Sequence, residues 1–482
     1  MAAAPGAPRR PTARDLTALS LRSDSRQPPA TPIVTTLANG VRLLAIHLPH
    51  VQSASVGVFL RVGSRDETPQ TSGVGHVLEH MAFKGTTTRS VQAINLDAER
   101  LGADVNAFTS KDTTGYYMTG LGRHVEQFLE MTADIVLNST FPPAELAREL
   151  EVVRQEAIEY AEDPQDSSSD LLDRAIWGDH PMGMPVIGTV ENIERFSRDD
   201  LVAHVKSHYI AENTVVAAAG NFDVEVFLAM GERLFAGMPS AMGAVPPPPP
   251  APARYVGSAI GQRFSQVSQV FVNLAYPLAP AQAQAMRDQR WRLAASAAAI
   301  LFGGGMSSPF TDTIRERLGL AYTAESSAEH GDVWINFVVH AITTPDKLEQ
   351  LMAATGGLLR EQADRIDAVH LERAKNQLAV SRVRSSERTH ATMERGVEEL
   401  FMRGSVTPAS ETISMIETIT AEEVRAVFEG MLQHRPALAI TGKAATTKAA
   451  RQLAAALAAT SRQESERQTV LAPSPACGRG SA

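Results

Sequence analysis

A single cysteine, Cys477, occurs in 482 residues. One thiol cannot build an internal disulfide framework, so the fold must rest on burial, and a reducing compartment suits it. No apolar run is long enough to cross a bilayer; stretches such as 293–302 are far too short, which excludes a membrane-spanning helix. No apolar secretory segment stands near the N-terminus. There is no long basic run, and net charge is −9 with a pI near 5.8, which argues against nucleic acid as a partner.

What is present is ample apolar content, 44 %, enough for buried cores in two to four domains. Residues 1–30 hold five arginines and two aspartates but no lysine or glutamate, a balance seen in organellar targeting segments. Pro5, Pro8, Pro11, Pro28 and Pro29 interrupt any long helix there. Residues 1–32 are therefore expected to be a disordered extension, with targeting left open. At the other end, 446–482 reads as an Ala-rich helix and a polar, disordered tail.

The chemistry is concentrated in His76-Val77-Leu78-Glu79-His80. On a helix the two imidazoles lie one turn apart on one face and can reach one metal ion. Glu79 shares that face. Val77, Leu78, Met81 and Ala82 form the opposite, apolar side. H-x-x-E-H is the zinc-hydrolase kit in inverted order, although a helix carrying two surface histidines has the same pattern. Catalytic zinc usually takes a third protein ligand. After Phe141-Pro142-Pro143, residues 144–162 repeat Leu146, Leu150, Val153 and Ala157 at helical spacing. Glu149 and Glu156, two turns apart, share another face of that helix, and either can serve.

The segments Gly75-His76-Val77-Leu78-Glu79-His80-Met81-Ala82-Phe83-Lys84-Gly85-Thr86 and Asn106-Ala107-Phe108-Thr109-Ser110, followed by Tyr116-Tyr117, resemble the pitrilysin-type (M16) zinc peptidases. This group includes the mitochondrial processing peptidase and its bacterial relatives. The resemblance spans roughly residues 33–440. It implies His76, His80 and Glu156 as ligands of one Zn²⁺ per chain, since Glu156 falls 76 residues after His80. It implies Glu149 as a residue supporting the site and Glu79 as general base on a zinc-bound water. Asn106, Ala107 and Phe108 match a strand edge to which a peptide substrate adds.

A proline-rich linker, 241–256 with five consecutive prolines, divides an N-terminal zinc-binding domain (33–240) from a C-terminal domain (257–445). Glu99-Arg100-Leu101-Gly102 recurs as Glu316-Arg317-Leu318-Gly319, at an offset of 217, which points to internal duplication. Strand-like segments at 54–62 and 214–219, and at 269–275 and 333–340, alternate with helices. The expected class is α+β, two duplicated halves, each a mixed sheet with helices on one face. The second half lacks ligands where the first has its motif: its counterpart falls near Leu293 to Leu301, and that of Glu156 near Ala379.

In the family the halves face each other as a clamshell. Arg315 and Tyr322, seven residues apart, match a pair that reaches the scissile peptide there and donates to its carbonyl oxygen. Gly303-Gly304-Gly305 reads either as a mobile loop at a chamber mouth or as a helix stop. The resemblance thus implies a zinc endopeptidase acting on peptides or unfolded segments. A homodimer is expected, with a heterodimer as the other possibility, in the bacterial cytoplasm or alternatively the mitochondrial matrix. The competing readings are the catalytic β subunit of an organellar presequence peptidase and a non-catalytic scaffold homologue.

Overall fold

A computed structural model describes residues 31–241, 253–278, 288–332 and 334–457. Almost all of the N-terminal extension, the proline run and the polar C-terminal tail lie outside the described residues, as does Val333.

The N-terminal half holds β1 (Ile33–Thr36), β2 (Arg42–His47), β3 (Ser53–Leu60), β4 (Asp104–Thr109), β5 (Thr114–Leu121) and β6 (Thr214–Gly220), in the order β1-β2-β6-β3-β5-β4. The C-terminal half holds β7 (Ala259–Arg263), β8 (Val270–Pro277), β9 (Ala321–His330), β10 (Ile335–Thr343) and β11 (Ala437–Gly442), in the order β7-β11-β8-β10-β9. Leaving out β1, the two orders coincide position by position. The β2–β6 and β7–β11 pairs are both parallel and the remaining ladders antiparallel. Gly102 and Gly319 of the repeated tetrapeptide adopt matching left-handed conformations, φ 61° and 57°, just before the edge strands β4 and β9. Duplication is therefore written in the topology as well as in the tetrapeptide.

The first half's main helices are α1 (Val74–Ala82), α2 (Val91–Leu101), α3 (Val125–Asn138), α4 (Pro143–Glu162), α5 (Pro164–Trp177), α6 (Arg198–His208) and α7 (Val224–Phe235). Those of the second half are α8 (Gln289–Gly303), α9 (Leu348–Asp364), α10 (Ala368–Ser386) and α11 (Thr389–Arg403). Local chemistry sets their ends. Pro143 occupies the first turn of α4, where its missing N–H costs nothing. Asp163 caps α5 by accepting from Gln165 and Asp166 N–H.

Helices on one sheet face describe only part of the arrangement, because the halves exchange helices to cover the other face. In α11, Met393, Val397, Leu400 and Phe401 pack on Leu44, Ile46, Phe59, Val215, Ala217 and Ala219 of the N-terminal sheet. In α5, Leu172, Ala175, Ile176 and Trp177 pack on Ala275, Val338, Ala437 and Ala439 of the C-terminal sheet. The unbroken apolar run of β6 follows from this, since a strand buried on both faces cannot alternate. Matching polar hooks accompany the exchange. Ser55 and Thr389 hydroxyls meet at 2.9 Å, and Asn273 Nδ2 donates to Ser168 Oγ at 2.8 Å. Near the β4–β5 turn, Arg61 and Arg65 pair with Asp332, Arg65 also pairs with Asp112, and Trp334 Nε1 donates to Asp112. Among the described residues no helix is long and apolar enough to cross a membrane.

Candidate metal centre

The H-x-x-E-H segment lies on α1, and its apolar side is anchored as its periodicity requires. Val77, Leu78 and Met81 are buried against Leu146, Val153 and Ala157 of α4. That packing fixes α4 beside α1 and turns both polar faces to a common space. Glu67 secures the start of α1: its two carboxylate oxygens accept from Gly73 and Gly75 N–H at 2.8 and 2.9 Å. Burial pushes its carboxyl up to about 8, against the pull of those two donors. Gly73 has φ 98°, and a side chain there would strike Ile187 and Gly188, so this entry to the helix requires glycine.

Three of the expected ligands converge. Glu156 Oε2 stands 3.9 Å from His76 Nε2 and 3.5 Å from His80 Nε2. Single donor atoms of the three residues all lie within 4.8 Å of one another, the only such group among the described residues placed so that it could hold a metal ion. Tetrahedral zinc with metal–nitrogen bonds of about 2.0–2.1 Å needs neighbouring donors about 3.3–3.5 Å apart, so the set fits that ion with small side-chain adjustments. Burial, reinforced by His80, lowers His76 to about 4, which leaves its ring neutral at pH 7 with a lone pair to offer.

Glu149 is separated from Glu156 by what it touches. It is buried, accepts from Lys84 Nζ at 2.7 Å, and faces His80 Nδ1 at 3.3 Å. It therefore holds the far side of the imidazole and leaves Nε2 to the cluster. Burial also raises Glu79, while hydrogen bonds from Thr109 and the neighbouring His80 pull it back.

Asn106, Ala107 and Phe108 lie on β4, the terminal strand of its sheet, which among the described residues pairs only with β5 and leaves its other edge without a ladder. Thr109, the last residue of β4, places its hydroxyl 3.4 Å from Gly75 O and within hydrogen-bonding reach of Glu79, so this edge is tied to the helix that carries the histidines. Arg315 and Tyr322 are brought together with each other but not with the cluster. The guanidinium sits 4.8 Å from the phenol ring at the start of β9, and Tyr322 is 76 % exposed. They line a concavity of about 430 Å³ with Lys347. The glycine triplet ends α8. A side chain on Gly303 would strike Ser326, and Arg373 donates to the carbonyls of Ile300, Leu301 and Gly304, so the segment is a capped helix stop.

Sequence reasoning assigned no role to Glu67, Lys84 or Thr109. Lys84 stands four residues after His80, just past the end of α1, near enough in sequence to be legible in principle. Glu67 and Thr109 act from a preceding loop and from another strand, and no local pattern announces them.

The chain matches the family described as Insulinase (Peptidase family M16) over residues 42–190 and the one described as Peptidase M16 inactive domain over residues 195–378. A protein named as an uncharacterized zinc protease from Rickettsia bellii is 32 % identical over 401 residues, covering 81 % of this chain and 92 % of its own. A protein of the same description from Bacillus subtilis is 30 % identical over 406 residues, covering 84 % and 97 %. Among solved structures, a protease from Helicobacter pylori aligns with a TM-score of 0.75 at 18 % identity, over 86 % of this chain and 100 % of that one. A chain of complex III2 from Candida albicans aligns at 0.73 and 17 %, over 88 % and 99 %. Both likenesses concern the fold alone. With an H-x-x-E-H helix, a convergent glutamate and a duplicated α+β architecture in place, the chain belongs to peptidase family M16.

Proposed function

We propose that this protein is a zinc-dependent endopeptidase that hydrolyses peptides or unfolded segments at the cluster of His76, His80 and Glu156. The observation that carries this reading is the convergence of the three donors beside an unpaired strand edge. When bound there, one Zn²⁺ supplies Lewis acidity, lowering the pKa of a coordinated water and polarising a peptide carbonyl.

The chain's own residues do the rest. His76 and His80 present their Nε2 atoms, and Glu149 with Lys84 sets the ring orientation of His80. Glu79 takes the proton of the attacking water and later delivers it to the leaving amine. Thr109 orients Glu79 by hydrogen bonding to its carboxylate. A peptide adds to β4 as a further antiparallel strand through its backbone, with Asn106, Ala107 and Phe108 at the seam. Peptides already paired within a folded domain cannot offer such a strand.

Arg315 and Tyr322 serve as donors to the substrate carbonyl. They touch each other rather than the cluster, which supports their being supplied by a second copy of the chain in a homodimer. A scaffold homologue that binds no substrate would have no need of an intact general base and three ligands. Chelation tests the reading: stripping metal abolishes cleavage of an unstructured peptide and stoichiometric zinc restores it, whereas cleavage that survives metal removal sinks the proposal.

A further inference from the structure

The C-terminal half has a cavity where its sister has the metal centre. A cleft of about 800 Å³ lies between α8, α10 and α11. By the 217-residue offset, Leu293 and Ser296 on its wall occupy the places of His76 and Glu79. The donors are gone and guanidinium groups have replaced them. Arg292, Arg382, Arg384, Arg388, Arg395 and Arg403 all line the cleft, against two carboxylates, Glu398 and Glu399. Glu399 is already engaged, by Arg382 at 3.3 Å and Arg403 at 2.7 Å. Burial, with Glu394 beside it, pushes Glu398 up to about 7 against the pull of Arg395 and Arg292, so near neutral pH it offsets only part of a positive charge.

Three of the other arginines are short of acceptors. Arg384, Arg388 and Arg395 form no ion pair among the described residues; Arg395 donates only to Ser385 Oγ. Arg382 Nε is buried without an acceptor. Burial lowers both Arg382 and Arg395; the repulsion of Arg395 and Arg403 lowers Arg382 further, while Glu399, Glu398 and Glu394 oppose the shift of Arg395. In a chain of net charge −9 this is a concentrated positive site. Leu293, Leu378 and the half-exposed Val380 add apolar surface to the cleft, which suits a peptide better than a bare phosphate.

We propose that this cleft docks an acidic segment of a peptide, its carboxylates received by Arg384, Arg388 and Arg395. The identification of the ligand as peptide rests on the peptidase reading, but the binding itself does not require catalysis.

The test uses the full chain stripped of metal and a fluorescent alanine-based peptide carrying several glutamates, with its glutamine counterpart as control. Fluorescence anisotropy is expected to show the glutamate peptide binding at least about tenfold tighter at low salt, the advantage fading at high salt. The double variant Arg384→Gln/Arg388→Gln, whose two parent side chains are exposed, removes that advantage. Circular dichroism confirms that it remains folded. Equal affinity for the two peptides, or an unchanged preference in the double variant, overturns the proposal. So does calorimetric binding of micromolar tripolyphosphate without measurable binding of the glutamate peptide, which assigns the cleft to phosphates. In the metal-loaded enzyme, KM for the glutamate peptide lies below that for the glutamine peptide, and the double variant brings the two together. Loss of cleavage with binding intact would refute the peptidase reading alone.

Discussion

His80 turns Nδ1 to Glu149 at 3.3 Å and Nε2 to Glu156 at 3.5 Å, so one imidazole is clamped between two glutamates seven residues apart on α4. Under the proposed reading, the two carboxylates divide the work of holding a metal. Glu156→Gln is expected to abolish stoichiometric zinc at micromolar free metal. Glu149→Gln is expected to weaken zinc by about 10–100-fold, the usual cost of losing the group that orients a ligand histidine. Competition with a chromophoric chelator measures both, and equal losses would erase the distinction.

Thr109 reaches Glu79 from a different element, the end of the edge strand β4. Thr109→Val leaves zinc bound but lowers kcat for an unstructured peptide by about 10-fold, within the range of positioned acid–base catalysis. An unchanged kcat removes Thr109 from the mechanism.

If a second copy supplies Arg315 and Tyr322, active sites can be rebuilt from two defective chains. Tyr322→Phe lowers kcat more than it raises KM. Mixing inactive Glu79→Gln with Tyr322→Phe chains, after dissociation and reassociation, regenerates sites that hold both intact groups and raises activity above that of either alone. No gain on mixing, with subunit exchange demonstrated, contradicts the shared site.

The sequence exposed α1 because a metal pair at i and i+4 coincides with helical periodicity and leaves Val77, Leu78 and Met81 for the core. It placed Glu149 and Glu156 on one face but could not separate them physically, since residues two turns apart point alike. Only the lateral position of α4, set by Leu146, Val153 and Ala157 against α1, does so. The duplicated sheets were foreshadowed by the repeated Glu-Arg-Leu-Gly. The helix exchange was not: the buried run of β6 announces that both faces are covered, and nothing local says that Val397 and Leu400, far along the chain, cover one of them. The arginine cleft stayed hidden for the same reason, its cations being spread over three helices.

The exchange gives α11 a structural role in the half to which it does not belong. Leu400→Ala is expected to cost about 2–5 kcal/mol of stability, as buried leucine truncations do. Amide exchange should quicken in β2 and β6 of the N-terminal sheet. Protection lost only within the C-terminal half would contradict the exchanged packing.

Acid sensitivity should arise away from the metal. Burial, with His208 4.5 Å away between ring centres, lowers His204 to about 3, far below an exposed histidine near 6.5. Between these values the unfolded chain binds a proton that the folded one refuses. This contribution is therefore complete above pH 6.5 and falls with pH down to about 3, by on the order of 1 kcal/mol per pH unit. Urea unfolding of wild type and His204→Gln between pH 7 and 4 measures the slope; identical slopes would contradict it.

Glu79→Gln asks whether the centre does hydrolysis, because it removes the proton acceptor and spares every ligand. Zinc content by mass spectrometry and peptide turnover are measured on the same preparations. The expected result is about one zinc per chain in both proteins, with turnover in the wild type alone. A zinc-free wild type, or a variant that cleaves normally, would contradict peptidase chemistry at His76, His80 and Glu156.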